Sequence, residues 1–587
     1  MSVRRRELLL FVAANAAGIA LTALSPFVPP EHATHDPLIA DSLVTRWLPS
    51  ALAFATLLTA ALAAGAPAPR RLYARHALFW VAVPASTALI RFGDMLEPPV
   101  YGLPLVSLVA AIAIHGLVAL LETRHVRSER ALGLLLGAAV TVAALALLPY
   151  DRMLELGHAD EPHYLLTMQS LVRDRDLDLT NDYDGPYEDL YADRLPDRHV
   201  VQVGNAQRPI RDLGLVALGA IPFALAGRTG VLVLMCLLGG AFAWRGFHLL
   251  RALSFGRGSA LLAAGSVALL HPLFTYTTQV YPDLPAALAT LLVAECLAGP
   301  PSAKRLGAAS ALCGALVWLT LRTWFAVGGL GLVIAVVALR ARSPRLVLAG
   351  ALPFAALVLA NAWVNKALFD VFLPHEGYFA IRDQQIVVAF TPQLGIPGLL
   401  LDRTFGLLAR APLYALAFFG AVPLWRRGRS LGSAALAALA LAWLFELVYI
   451  GDVQYWWADG SPSSRYLLST LALPLCALAA GLERLRARGG RVLVAAAAAW
   501  SALVTLALAL LPALRYDLAA AVAVTGAPGE LWSRLTYVLR ADPALLFPSL
   551  VRAAPQDALL AGSWLLLLAA LAYAGARRPR AGASRIL

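Results

Sequence analysis

Two adjacent carboxylates sit between two histidines in the segment Gly157-His158-Ala159-Asp160-Glu161-Pro162-His163-Tyr164, just after an apolar run. A carboxylate close to hydrocarbon is poorly solvated, which raises its pKa and makes it a better general base at neutral pH. The same residues admit two other readings. Asp before Glu-Pro suits a helix start, so Asp160 and Glu161 could serve only as caps. The four polar side chains could also hold a divalent cation, the one cofactor these residues suggest. No His-Glu-x-x-His pattern is present, so no residue is assigned as a metal ligand.

Other residues could complete such a site. Asp283, in Tyr281-Pro282-Asp283, stands in a tight connection between two apolar runs, where it either joins the first acids or caps the next helix. Arg208 and Arg211 close the acidic stretch in Gln207-Arg208-Pro209-Ile210-Arg211-Asp212. They could grip an anionic head group through bidentate contacts, or pair with the acids around them. Arg322 lies between two short apolar runs. Unpaired at a helix centre it would cost about 2.5–3.5 kcal/mol, so it either has a partner or snorkels to the interface. Trp456 and Trp457 precede a Gly-Ser turn and Arg465. Aromatic faces beside polar donors suit a sugar ring, but Trp and Tyr at an interface are also ordinary membrane anchors.

The elements that position these residues are set by composition. Residues of the set AVILMFWYC make up 59% of the 587-residue chain and charged residues 14%, far from a soluble domain. The apolar residues come in runs of about 20 without period-2 alternation, which predicts membrane-crossing helices rather than a barrel. About sixteen spans are expected, starting near residues 7, 47, 74, 102, 131, 229, 257, 283, 303, 324, 346, 406, 431, 465, 491 and 558. The first, after Arg4, Arg5 and Arg6, is read as a retained span and not a cleaved signal.

The formal charge of +12 sits in short connectors without a basic, aromatic-laced stripe, which excludes a nucleic-acid partner. Those connectors alternate, and the positive-inside bias places both termini in the cytoplasm. This count holds only if the apolar piece 213–226, which contains Pro222, does not cross but lies at or re-enters the surface. The outer side then receives residues 150–228, 367–405, 451–464 and 512–557. Thirteen of the 36 acidic residues fall between Asp151 and Asp197. Cys236, Cys296, Cys313 and Cys476 lie in apolar runs at no metal-ligand spacing.

Taken with their order along the chain, these motifs resemble the GT-C superfamily of polyprenyl-phosphate-sugar-dependent glycosyltransferases, which includes protein O-mannosyltransferases and lipid A aminoarabinose transferases. The matching features are Asp160-Glu161-Pro162-His163-Tyr164, Asn181-Asp182-Tyr183, Tyr281-Pro282-Asp283, Leu401-Asp402-Arg403-Thr404-Phe405-Gly406-Leu407-Leu408 and Ser464-Arg465-Tyr466-Leu467. The resemblance implies an all-α polytopic membrane protein with a GT-C-like helical bundle and an outer loop bearing juxtamembrane helices. Residues 131–485 would form the catalytic core, 1–130 an extension of four spans, and 486–587 the C-terminal spans.

It further implies inverting transfer on the non-cytoplasmic face of a bacterial inner membrane, from a polyprenyl-phosphate sugar to a glycan, lipid or protein acceptor. Asp160 or Glu161 would act as base, with Asp283 nearby. His163, Tyr164, Arg208, Arg211, Tyr281, Arg322, Trp456, Trp457 and Arg465 would bind substrate. Where members of the family often carry His or Lys before the juxtamembrane Pro, this chain has Gln207-Arg208-Pro209. A transporter or a non-catalytic envelope assembly protein is the alternative. A transporter would carry ionisable groups deep in its spans, whereas the acids here concentrate in one loop.

Overall fold

Apolar runs long enough to cross hydrocarbon must satisfy their own backbone hydrogen bonds, and the chain does this with helices. A computed structural model describes residues 128–154, 159–184, 198–372, 392–452, 456–458, 460–485, 488–510, 512–516, 529–539, 542–551 and 554–577. The first four expected spans, His158, and residues 185–197 of the acidic loop lie outside the described residues.

The helices of eight residues or more are α1 (Glu129–Leu154), α2 (Glu161–Gln169), α3 (Gly214–Ala252), α4 (Arg257–Leu269), α5 (Asp283–Leu297), α6 (Ala303–Leu319), α7 (Thr323–Arg340) and α8 (Pro344–Phe369). They continue with α9 (Pro392–Leu401), α10 (Ala415–Leu431), α11 (Ala434–Asp452), α12 (Ala472–Arg484), α13 (Arg488–Leu510), α14 (Glu530–Leu539) and α15 (Pro555–Ala576). A helix therefore stands at or beside every expected span from residue 131 onward. Six of them, α3, α7, α8, α11, α13 and α15, are long and apolar enough to cross a membrane. Others are shorter than the roughly 20 residues a full crossing needs: α4 has 13, α5 has 15 and α12 has 13.

The architecture is not purely helical. Strands β1 (Val200–Val203) and β2 (Ala206–Pro209) form an antiparallel hairpin with Val200 opposite Pro209. Its turn uses Gly204 at φ +61°.

The chain divides into two compact units, Met1–Leu154 with Ala509–Leu511, and Glu155–Leu508 with Pro512–Leu587. In the second, α5 is the central helix, packing on α3, α6 and α11, and most of its residues are buried all the way round. By contrast α8, packed on α6, buries only Asn361 and Asn365, while Leu348, Leu352, Leu359 and Trp363 are more than half exposed. In water so much bare apolar surface would drive association; against lipid it is the outward face of a bundle. Elsewhere small residues bring helices together. At Gly420 in α10 an added Cβ would come within 1.8 Å of the Ala477 carbonyl oxygen in α12.

The hydrogen-bonded helix α3 runs for 39 residues, but the backbone leaves helical geometry at Ala226 and Gly227. Gly227 has φ +55° and ψ −144°, a conformation open to little but glycine. Residues 214–225 and 228–252 are thus two helices joined at a bend. The first is the apolar piece expected not to cross, and it exposes Leu218, Ile221 and Leu225.

Candidate active site

The site begins at the start of α2. Asp160 occupies the cap position and Glu161 the first helical position, yet the Asp160 side chain makes no capping hydrogen bond. Both carboxylates turn to arginines instead. Asp160 pairs with Arg211, which follows β2, and with Nη1 of Arg465 at 2.7 Å. Glu161 is fully buried, 2.7 Å from Nε of Arg228, and its Oε2 accepts from the backbone N–H of Val280 at 3.1 Å. Asp283, the first residue of α5, is also buried and makes no cap; it accepts from Arg465 Nε at 2.9 Å and from Arg322 Nη2 at 2.8 Å. The result is a line of alternating charge, Arg211–Asp160–Arg465–Asp283–Arg322, drawn from five separate segments of the chain. The guanidinium of Arg465 lies 4.4 Å from the Tyr281 ring centre, and that of Arg322 4.0 Å from Tyr466.

The loop carrying Arg465 is held from two sides. Asp402 accepts hydrogen bonds from the backbone of Thr404 and Phe405 through Oδ1, and from Leu550 through Oδ2. This fixes a turn whose Phe405 carbonyl accepts from the Ser464 N–H at 3.2 Å. Ser464 itself is left-handed at φ +59°, a strained setting for a non-glycine residue that tight packing sustains. From the other side, Tyr276 donates to the Pro462 carbonyl at 2.5 Å. The segment around Asp402 thus acts through the backbone to aim Arg465.

The Asn181-Asp182-Tyr183 segment has a comparable supporting role. Tyr183 Oη lies 2.7 Å from His163 Nδ1, and His163 stacks on His199 with ring centres 3.9 Å apart. Burial, with the charges of His199 and Arg211 beside it, pushes His163 down to about 3, so it is neutral at physiological pH.

The expectation of a raised carboxylate pKa at Asp160 is overturned. Burial works to raise it, but the guanidiniums of Arg211 and Arg465 outweigh burial and hold it well below the usual range. The capping reading fails too, since neither Asp160 nor Asp283 caps its helix. Asp160 and Glu161 diverge toward different arginines, and no group of three or more His, Cys, Asp or Glu among the described residues is arranged to hold a metal ion.

Some expected site residues stand elsewhere. Arg208, on β2, acts on Asp178 rather than on the line of ion pairs. Tyr164 is buried in the core. Trp456 packs against α9, where a Cβ on Gly398 would come within 2.3 Å of its ring, and Trp457 meets Trp456 edge-on at 5.4 Å. Sequence reasoning missed Arg228 as the partner of Glu161. It also missed two acids inside helices, Glu295, paired with Arg245, and Glu446. The signal for Glu446 was present, since it is the one acid within the apolar run of α11 before Asp452.

No protein-family model matches the chain, and no curated protein matches it. What the residues do must be read from their own geometry.

Proposed function

We propose that this protein is an integral membrane glycosyltransferase that moves a sugar from a polyprenyl phosphate to an acceptor hydroxyl on the non-cytoplasmic face, with inversion. The observation that carries this reading is the line Arg211–Asp160–Arg465–Asp283–Arg322, where carboxylates and guanidiniums alternate beside the segments expected to face outward. Single displacement needs both kinds of group. The acceptor oxygen forms its bond to the anomeric carbon while the bond from that carbon to the phosphate oxygen breaks. The electron pair leaves with the lipid phosphate, and the acceptor proton passes to a base on the opposite face.

Asp160 fits the base better than Glu161, whose carboxylate is fully buried against Arg228 and Val280, while the Asp160 side chain keeps 13% exposure. In the resting arrangement Asp160 is a weak base because two cations hold it. A donor phosphate that engages Arg465 or Arg211 shares those cations and restores basicity to Asp160, so donor binding readies the base. Asp283 remains to orient Arg465 toward the phosphate and to fix Arg322 beside it.

The test is to incubate purified full-length protein with a panel of polyprenyl-phosphate sugars and candidate acceptors and to measure released lipid phosphate. Release that depends on acceptor and is lost in Asp160→Asn supports the reading. No release with any donor, together with solute uptake into proteoliposomes, would favour a transporter, the reading to which the intramembrane Glu446 lends weight.

A further inference from the structure

Glu446 lies within α11 at 1% exposure, and the mechanism above does not use it. Ser469 donates to its Oε1 at 2.5 Å and the Thr470 side chain also hydrogen-bonds the carboxylate, while Oε2 is buried with no donor at hydrogen-bond geometry. Near it stands Arg322, which spends Nη2 on Asp283 and whose buried Nη1 donates to nothing. Packing of α11 on α7, with Tyr449 one turn from Glu446 stacked on Phe325 one turn from Arg322, brings the two groups to the same region without an ion pair between them. Leaving a charged donor and a carboxylate oxygen both unmatched in a buried setting costs stability, so the arrangement calls for a ligand that satisfies the two together. Aromatic rings border it. Tyr466 lies under the Arg322 guanidinium, and Tyr449, an electrostatic neighbour of Arg322, stacks on Phe325 with ring centres 3.7 Å apart.

An acceptor atom, a donor edge and apolar rings are what a polyol presents itself to: one hydroxyl donates to the carboxylate while an adjacent oxygen accepts from the guanidinium. We propose that Glu446 and Arg322 Nη1 grip neighbouring hydroxyls of the transferred sugar, which makes Glu446 a specificity-determining residue. This rests on the glycosyltransferase reading and names what that reading leaves open, the part of the site that chooses the sugar. It also gives Arg322 two tasks, Nη2 fixed on Asp283 and Nη1 on substrate. A site built to hydrogen-bond a hydroxyl rejects the analogue that lacks it, because its own buried groups are then left unpaired.

The experiment uses the full-length protein in nanodiscs with polyprenyl-phosphate mannose, glucose, galactose and arabinose, each with its single-deoxy analogues. Donor binding and lipid-phosphate release are measured separately on wild type, Glu446→Gln and Glu446→Asp. Both variants keep a polar group for Ser469, and thermal melting checks their folding. The expected result is that one deoxy analogue binds wild type at least ~10-fold more weakly than its parent. Glu446→Gln should weaken the parent by a similar factor and the deoxy analogue hardly at all. Equal weakening of every donor, or none, overturns the proposal and leaves Glu446 as a helix-packing group. A deoxy pattern that depends on Glu446 but comes with no lipid-phosphate release sinks the transferase reading and keeps the sugar grip. Absence of all donor binding by wild type sinks both.

Discussion

Asp160 and Glu161 are neighbours in the chain with different partners, and the two isosteric amides should separate their roles. Asp160→Asn removes a partly exposed carboxylate whose partners, Arg211 and Arg465, retain other contacts. It should lower transfer by at least ~100-fold, the usual scale for losing a general base, and cost less stability than Glu161→Gln, since both arginines keep other partners. Glu161→Gln removes the buried carboxylate that Arg228 pairs with, and breaking such a buried pair costs on the order of 3–5 kcal/mol. That variant should lose stability first, in a melt followed alongside activity. The reverse pattern, a stable inactive Glu161→Gln and an active Asp160→Asn, would exchange their roles. At this scale much was legible in the sequence. Asp160, Asp283, Arg322 and Arg465 were singled out by type and place, and they do meet. What the sequence hid was pairing. Nothing in spacing says that Arg465, 182 positions beyond Asp283, bridges it to Asp160, or that those cations reverse the effect of burial on Asp160.

The acidic segment after α2 behaves as a unit of its own. Residues Ser170–Asp174 widen into a π turn that ends at Arg175 in the left-handed region, and the chain folds back so that Gln169 lies 3.4 Å from Asp182. Burial, reinforced by the nearby charge of Asp174, raises the Asp182 carboxyl to about 6. An acid whose folded pKa lies above its unfolded value of about 3.9 contributes fully below that value, and the contribution is lost as pH rises through 6. Asp182→Asn should therefore melt near wild type at pH 4 and a few degrees higher at pH 7.5, as differential scanning fluorimetry would show. A constant difference at both values would mean that the carboxyl titrates normally. Helix positions were legible because apolar runs of that length have few alternatives. The hairpin of β1 and β2 was not. Its eight residues carry too little alternation to announce strands, and register came only with the fold.

Across the whole molecule, orientation is the expectation on which the outward-facing site depends. In a protein stripped of native cysteines, Ser254→Cys and Ser430→Cys should react only after the inner side is opened. Asn205→Cys and Asp184→Cys should react with an impermeant maleimide in intact cells. An outward Ser254→Cys would place residues 214–225 across the bilayer and invert every later span. The bend at Gly227 carries a further consequence. The segment before it, expected at the surface, is tied at both ends to the adjacent acids, through Arg211 before its start and Arg228 just past the bend. Beyond the bend, residues 228–252 rise about 37 Å at 1.5 Å per residue, slightly more than a hydrocarbon core of about 30 Å. Hydrophobic mismatch would therefore act on the carboxylate proposed as the base. A thicker or thinner membrane shifts the headgroup plane against Leu218, Ile221 and Leu225, and the strap passes that displacement to Asp160 and Glu161. Turnover measured in nanodiscs of increasing acyl length should peak at one thickness and fall on either side, while a protein indifferent to lipid length would show that the strap does not transmit it.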